Sequence, residues 1–163
     1  MNISNRALWF TVAAAAAGLA MSSVVLTAWL ELQPCHLCIF QRLLFMLIAV
    51  FALLAALTPA VINRVLGGLV ALTAAAGMVT AAYQTWLQLQ PAGSVSCVGS
   101  ELGPIERLVE WLGQSVPSLF LATGFCGDEA LVILGLSLVH WALISFVVML
   151  GLALWLTLAR PRG

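Results

Sequence analysis

Long apolar runs separated by short polar breaks dominate this chain. Four of them are long enough to cross a bilayer, at about residues 7–30, 43–62, 65–86 and 141–159. Read as a helix at about 1.5 Å per residue, the first run is about 36 Å long, which exceeds a hydrocarbon thickness of about 30 Å. The pattern predicts an all-α membrane protein, a four-transmembrane-helix bundle in a single domain spanning 1–163.

The first run has a competing interpretation as a cleaved secretory signal, because Arg6 precedes it and Ala-x-Ala triplets are frequent. The apolar core of a signal peptide is only about 7–15 residues long, which is shorter than this run. Trp9 and Trp29 also stand near its two ends, as aromatic residues do at membrane interfaces. We therefore expect a retained transmembrane helix.

The polar segments form two loops, at about residues 31–42 and 87–140. Within the longer loop, apolar residues recur at helical spacing between Pro104 and Val116, opposite charged residues. Proline is favoured at the first position of a helix. The pattern predicts a short amphipathic helix here, and with Trp111 on it we expect it to lie flat on the membrane.

The last apolar run extends from Ala130 to Ala159, too long for one upright helix. Trp141 is a reasonable marker for the membrane boundary. We interpret residues 130–139 as a membrane-surface segment loosened by Gly135 and Ser137, which leaves the fourth span to begin at Trp141.

Composition and charge indicate the class of protein and its orientation in the membrane. Hydrophobic residues make up 63% of the chain and charged residues 7%, as in an integral membrane protein, so the lipid bilayer is an expected partner. The formal net charge is zero and no basic run is present, so nucleic acid is not expected as a partner. The positive-inside rule, applied to Arg6, Arg64, Arg160 and Arg162, predicts cytoplasmic termini and outward-facing loops.

Both of those loops carry cysteines, on the predicted outer side where disulfides persist. Cys35 and Cys38 form a Cys-x-x-Cys pair in the first loop, with Arg42 one helical turn later. Cys97 and Cys126 lie in the second loop. Because a nearby cation stabilises a thiolate, the first pair is a candidate reactive centre.

Three interpretations of the four cysteines compete. Static disulfides are one: a Cys-x-x-Cys bridge closes too small a loop to stabilise much, but a Cys97–Cys126 bridge would be plausible. A zinc site of four cysteines, or of three plus His36, is another, although the second pair lacks Cys-x-x-Cys spacing. The third is a relay in which two dithiol pairs exchange disulfides in sequence.

A relay fixes where the electrons leave. No cysteine lies within a predicted span or on the cytoplasmic side, so electrons from a soluble outer protein must leave within the membrane plane. A lipid-soluble quinone is the natural acceptor. Arg42 beside Cys38 would stabilise both a thiolate and negative charge developing on a quinone oxygen. The competing interpretation is an arginine that snorkels to lipid headgroups. Gln84, near the outer end of the third span, is either an interfacial polar residue or a ligand's hydrogen-bond donor.

Three motifs on this four-span pattern resemble the bacterial disulfide bond formation protein B family. They are Cys35-His36-Leu37-Cys38 with Arg42, Leu87-Gln88-Leu89-Gln90-Pro91 ahead of Cys97, and Ala122-Thr123-Gly124-Phe125-Cys126. The resemblance covers essentially the whole chain. This family keeps the bacterial periplasm oxidising together with its soluble oxidase and quinone.

The resemblance implies a protein-thiol:quinone oxidoreductase of the bacterial inner membrane. Its cofactor would be ubiquinone or menaquinone with no metal, and its partner a periplasmic thioredoxin-fold thiol oxidase, DsbA-like. Cys97 would form the mixed disulfide with the partner and Cys126 would resolve it. Electrons would then pass to Cys35, while Cys38 forms a charge-transfer adduct with the quinone beside Arg42.

Two positions depart from the family pattern. Gln41 stands where some members carry glutamate, and Gln84, which we include among the quinone-binding residues, stands where some carry histidine. We expect these departures to affect quinone contacts or proton delivery and not the cysteine relay. The rival functions are an enzyme of the vitamin K epoxide reductase type and a non-catalytic scaffold with static disulfides.

Overall fold

A computed structural model describes residues 3–90, 103–124 and 131–158. In those ranges the elements are α1 (Ile3–Trp29), α2 (His36–Leu57), α3 (Ala60–Gln88), α4 (Pro104–Ser115), α5 (Pro117–Phe120), β1 (Val132–Ile133), β2 (Leu136–Ser137) and α6 (Leu138–Leu158). Helices α1, α2, α3 and α6 are long and apolar enough to cross a membrane. The predicted fold class, a helical membrane protein with four spanning helices, is confirmed.

Helix α2 begins at His36, well before the predicted start of the second span near residue 43, because Cys35 caps it. The backbone of Cys35 is extended, and its sulfur accepts a hydrogen bond from the amide of Cys38, as an N-cap side chain does. Arg42 therefore lies within the helix. At the other end, Thr58 is extended as the residue before a proline prefers, so α2 ends at Leu57 rather than near residue 62.

The segment that we interpreted as a membrane-surface stretch loosened by Gly135 and Ser137, residues 130–139, contains a β-hairpin in its described part. Val132 pairs with Ser137 and Ile133 with Leu136. The two turn residues, Leu134 at φ 54° and Gly135 at φ 80°, both have positive φ, as a type I′ turn requires. Helix α6 follows at once from Leu138, three residues before the predicted start of the fourth span.

Helix α2 lies at the centre of the bundle. It packs against α1 and α3, and α3 packs in turn against α6. The rings of Phe45 on α2 and Phe146 on α6 stack with centroids 4.1 Å apart. Gly77 on α3 makes room for this pair, because a Cβ atom at that position would overlap the Phe146 ring. A small residue on α3 thus lets an aromatic contact join α2 to α6.

Helix α4 covers the amino-terminal part of α2. Its Val109 is buried in a cluster with Ile39 of α2 and Phe120 of α5. Trp111, on the same helix, is largely exposed. The helix is amphipathic, and its described bounds agree with the sequence pattern to within one residue. Through this buried face, α4 packs the loop segment 103–124 against the amino-terminal part of α2, next to the cysteine pair.

Candidate functional site

The two cysteines of the Cys-x-x-Cys pair lie at the amino-terminal end of α2. Their sulfur atoms are 3.1 Å apart and in hydrogen-bonding contact, farther apart than the roughly 2.05 Å of a disulfide bond. Cys35 is buried and Cys38 is half-buried. The Cys35 sulfur also accepts from the Cys38 amide at 3.4 Å. The positive end of the helix dipole thus acts on the pair and favours negative charge there.

Gln84 reaches this pair from α3. Its Nε2 lies 3.0 Å from the Cys38 sulfur and 3.3 Å from the Cys35 sulfur. Its Oε1 accepts a hydrogen bond of 2.8 Å from Nε2 of Gln41, on α2. Both glutamines are buried, with 1% of Gln84 and 5% of Gln41 exposed. An uncharged amide network therefore ends on the two sulfurs.

Arg42 is buried between α1, α2 and the segment that follows α4, with only 4% of its surface exposed. Its Nε and Nη2 donate to the hydroxyl and carbonyl oxygens of Ser23. Nη2 also donates to Thr27 at 2.8 Å, and Nη1 to the carbonyl of Leu119 at 2.6 Å. These acceptors are all neutral. Within the described part of the chain, the positive charge of Arg42 is thus stabilised by hydroxyl and carbonyl dipoles and not by a carboxylate.

A cavity of about 110 Å³ lies between α1, α2 and α6. Cys38, Gln41 and Arg42 supply its polar groups on α2, beside Ser22 and Ser23 of α1. The remaining lining is apolar: Leu19, Leu26, Phe45, Leu138, Val139, Trp141 and Ala142. The predicted thiol and the predicted cation therefore face the same apolar space. Gln84 does not line it and contacts the sulfurs instead.

Residues 119–124, which we call the strap, lie across the loop that carries Cys35. The amides of Thr123 and Gly124 donate to the carbonyl of Pro34 at 3.0 and 3.1 Å. A Cβ atom at Gly124 would overlap the carbonyl of Gln33, so only glycine allows this approach. The strap brings the chain to within one residue of Cys35 just before it continues to Cys126.

Of the predicted site residues, the structure brings Cys35, Cys38, Arg42 and Gln84 together. Cys97 and Cys126 lie outside the described residues. Sequence reasoning missed the acceptors of Arg42 on α1, which are Ser23 and Thr27. Hydroxyl side chains in an otherwise apolar run were the available signal, because a buried cation within a bilayer requires polar partners. The contact with the Leu119 carbonyl had no signal, because any residue supplies a main-chain oxygen.

Comparison with known proteins gives a consistent result. Residues 5–156 match the family model for disulfide bond formation protein DsbB. The chain is 40% identical over 161 residues to disulfide bond formation protein B of Dechloromonas aromatica (strain RCB), with 95% of this chain and 94% of the relative covered. It is 38% identical over 162 residues to that of Azoarcus sp. (strain BH72), covering 96% and 95%. The chain therefore belongs to the disulfide bond formation protein DsbB family.

Proposed function

We propose that this protein is a thiol:quinone oxidoreductase that reoxidises a periplasmic thioredoxin-fold disulfide donor, DsbA-like, and passes the electrons to membrane quinone. Family membership and four spanning helices make it a multi-pass membrane protein with a disulfide-forming oxidoreductase role. The finer function is supported by one observation above all. Cys38 and Arg42 line the same apolar cavity between α1, α2 and α6.

The cavity suits the ring of a quinone, ubiquinone or menaquinone. A quinone needs apolar contacts for its ring and a positive group or donor at its oxygen. The lining supplies the first, and Arg42 is a buried cation without a carboxylate partner among the described residues. The volume of about 110 Å³ is below the roughly 300 Å³ of small ligand pockets. We therefore expect the ring edge to enter and the tail to remain in lipid.

The chemistry of the inner pair balances as a two-electron exchange. The bound quinone supplies the electron sink. The dithiol of Cys35 and Cys38 gives up two electrons and two protons and forms one S–S bond, and the quinone becomes quinol. Cys38 is the thiol exposed to the cavity. Arg42 stabilises its anionic sulfur and the charge that develops on oxygen. Cys35, held as the cap of α2, closes the disulfide.

The outer pair connects this centre to the partner. The partner's thiolate attacks the Cys97–Cys126 disulfide at Cys97, which forms a mixed disulfide and releases Cys126 as a thiol. The partner's second thiol then closes the partner's own disulfide and releases Cys97 as a thiol. The reduced outer pair then reduces the Cys35–Cys38 disulfide. Each exchange conserves one S–S bond and two thiols. The strap supports an exchange between the two pairs, since Thr123 and Gly124, which shortly precede Cys126 in the sequence, are hydrogen-bonded to Pro34 beside Cys35.

The proposed function also requires a particular orientation of the protein in the membrane. We place both termini and the turn near Arg64 in the cytoplasm, and the four cysteines on the periplasmic side of the bacterial inner membrane. The arginine distribution supports this arrangement. The partner and the cysteines then share one oxidising compartment.

The deciding experiment uses Cys38→Ala. Purified protein is mixed with a reduced thioredoxin-fold partner and decylubiquinone, and the quinone absorbance band is followed. We expect partner-dependent loss of the band with the wild type and none with Cys38→Ala, while Cys97 still traps the partner as a mixed disulfide. Normal turnover by Cys38→Ala would remove that residue from the mechanism. No turnover by the wild type would favour a scaffold with static disulfides.

A further inference from the structure

The amides of Gln41 and Gln84 form a buried hydrogen-bonded chain that ends at the cysteine pair. Gln41 donates from Nε2 to Oε1 of Gln84 at 2.8 Å. The amide nitrogen of Gln84 then lies 3.3 and 3.0 Å from the sulfurs of Cys35 and Cys38 and donates toward them. A primary amide has two donors on nitrogen and none on oxygen. With its oxygen occupied by Gln41, Gln84 thus presents its donor nitrogen to both sulfurs.

The orientation of Gln84 depends on its partner amide. If Gln84 alone turned over, its nitrogen would face the nitrogen of Gln41, donor against donor, and its oxygen would face the sulfurs. A buried amide without its hydrogen bonds is destabilised by about 1–3 kcal/mol. The orientation of Gln84 is therefore coupled to that of Gln41, and with Gln41 donating, Gln84 presents its nitrogen to the cysteine pair.

We propose that Gln41 and Gln84 form an amide clamp that stabilises the reduced, negatively charged form of the Cys35–Cys38 pair. Gln84 is the donor, and Gln41 is a positioning residue that acts through it. Hydrogen bonds to an ionised acceptor are about twice as strong as those between neutral groups, so the clamp favours a thiolate over the disulfide.

The clamp makes the Cys35–Cys38 disulfide a stronger oxidant, because any interaction that stabilises the reduced form raises the tendency to accept electrons. This deepens the proposed function, on which it rests for its purpose: the inner pair must take electrons from the outer pair. It also assigns Gln84 a role at the sulfurs. The amides exert this effect without carrying a charge themselves, unlike a carboxylate at either position, which would repel a thiolate.

The test measures the thiol–disulfide equilibrium of the inner pair without quinone. Full-length protein carrying Cys97→Ser and Cys126→Ser is equilibrated in detergent with graded ratios of reduced to oxidised dithiothreitol. The fraction of dithiol is read by alkylation and mass. We expect Gln84→Met, which keeps the side-chain length and removes both donors, to shift the equilibrium constant toward the disulfide about tenfold, or about 30 mV for two electrons. Gln114→Met, the same change at an exposed position of α4, is expected to leave it unchanged.

Gln41→Met separates positioning from packing. We expect a smaller shift in the same direction, about threefold, and no further shift when it is added to Gln84→Met, because its effect passes through Gln84. Additive shifts would overturn the positioning role of Gln41. If Gln84→Met does not accumulate in the membrane, Gln41→Met decides the question, and an unshifted equilibrium then overturns the clamp.

The outcomes also separate the clamp from the proposed function. An unshifted equilibrium in Gln84→Met, together with intact quinone reduction by the wild type, overturns the clamp and leaves the oxidoreductase standing. A shifted equilibrium together with no quinone reduction by the wild type overturns the oxidoreductase and leaves the clamp standing.

Discussion

Arg42 donates a hydrogen bond of 2.6 Å from Nη1 to the main-chain carbonyl of Leu119. Its other donors contact Ser23 and Thr27 on α1. One side chain of α2 thus joins a transmembrane helix to the start of the strap. Because Arg42 also lines the cavity, the proposed quinone site and the segment that leads to Cys126 share a contact.

Replacing Arg42 by glutamine is expected to weaken quinone use. The variant loses the positive charge beside Cys38, and hydrogen bonds to charged groups contribute about 1.5–3 kcal/mol. We therefore expect the KM for decylubiquinone to rise at least about tenfold, since about 1.4 kcal/mol is a factor of ten. Steady-state quinone reduction with a reduced thioredoxin-fold partner measures it.

Arg64→Gln is the matched control, because Arg64 is exposed on α3 and lies apart from the cavity lining. Its KM is expected to equal that of the wild type. If Arg42→Gln also retained the wild-type KM, Arg42 would be an interfacial arginine with no part in quinone binding.

Gly124→Ala is expected to undock the strap. The added Cβ would overlap the Gln33 carbonyl, so the hydrogen bonds to Pro34 must lengthen or break. We expect electron transfer from the outer to the inner cysteine pair to slow about tenfold, a loss of about 1.4 kcal/mol in transition-state stabilisation. Stopped-flow loss of the quinone absorbance band after mixing with the reduced partner measures this step.

Two comparisons locate the effect of Gly124→Ala. Gly18→Ala adds the same group where nothing lies within 4 Å, and its transfer rate is expected to match the wild type. In protein carrying Cys97→Ser and Cys126→Ser, quinone reduction driven by dithiothreitol bypasses the outer pair and should be unaffected by Gly124→Ala. A defect there would place the damage at the quinone site and not at the strap.

Two glycines of α3 are expected to respond in opposite directions to alanine. At Gly77 the new Cβ overlaps the ring of Phe146, and overpacking of a core is destabilising by about 1–3 kcal/mol. At Gly68 nothing lies within 4 Å, so the higher helix propensity of alanine, worth up to about 1 kcal/mol, is unopposed. Thermal unfolding in detergent should give a lower Tm for Gly77→Ala and an equal or higher Tm for Gly68→Ala. A Tm for Gly77→Ala at or above that of the wild type would contradict the close packing of α3 on α6.

The proposed orientation predicts a labelling pattern. Two single-cysteine proteins are made, one retaining Cys97 and the other carrying Arg64→Cys with the four native cysteines changed to serine. In intact spheroplasts we expect a membrane-impermeant maleimide to react with Cys97 and to reach position 64 only after lysis. The reverse pattern would invert the protein in the membrane and exclude a periplasmic partner.

The sequence by itself determined the class, the four spans and the pairing of Cys38 with Arg42. These follow from local features. A stretch of about 20 apolar residues partitions into lipid whatever its neighbours do, and a spacing of four residues within one helix places two side chains on the same face. The amphipathic pattern from Pro104 likewise identified α4, because a helix that lies on a core must bury one stripe.

Tertiary structure alone decided which distant groups meet. The contact of Gln41 with Gln84 and that of Arg42 with the Leu119 carbonyl depend on the rotation and depth of helices that packing fixes. The cap at Cys35 and the hairpin turn at Leu134 moved two helix starts, because capping and turn geometry act at ends where hydrophobic patterns are weakest. Partition into lipid depends on each segment's own composition, whereas a hydrogen bond between helices requires both partners to be placed to within a few tenths of an ångström.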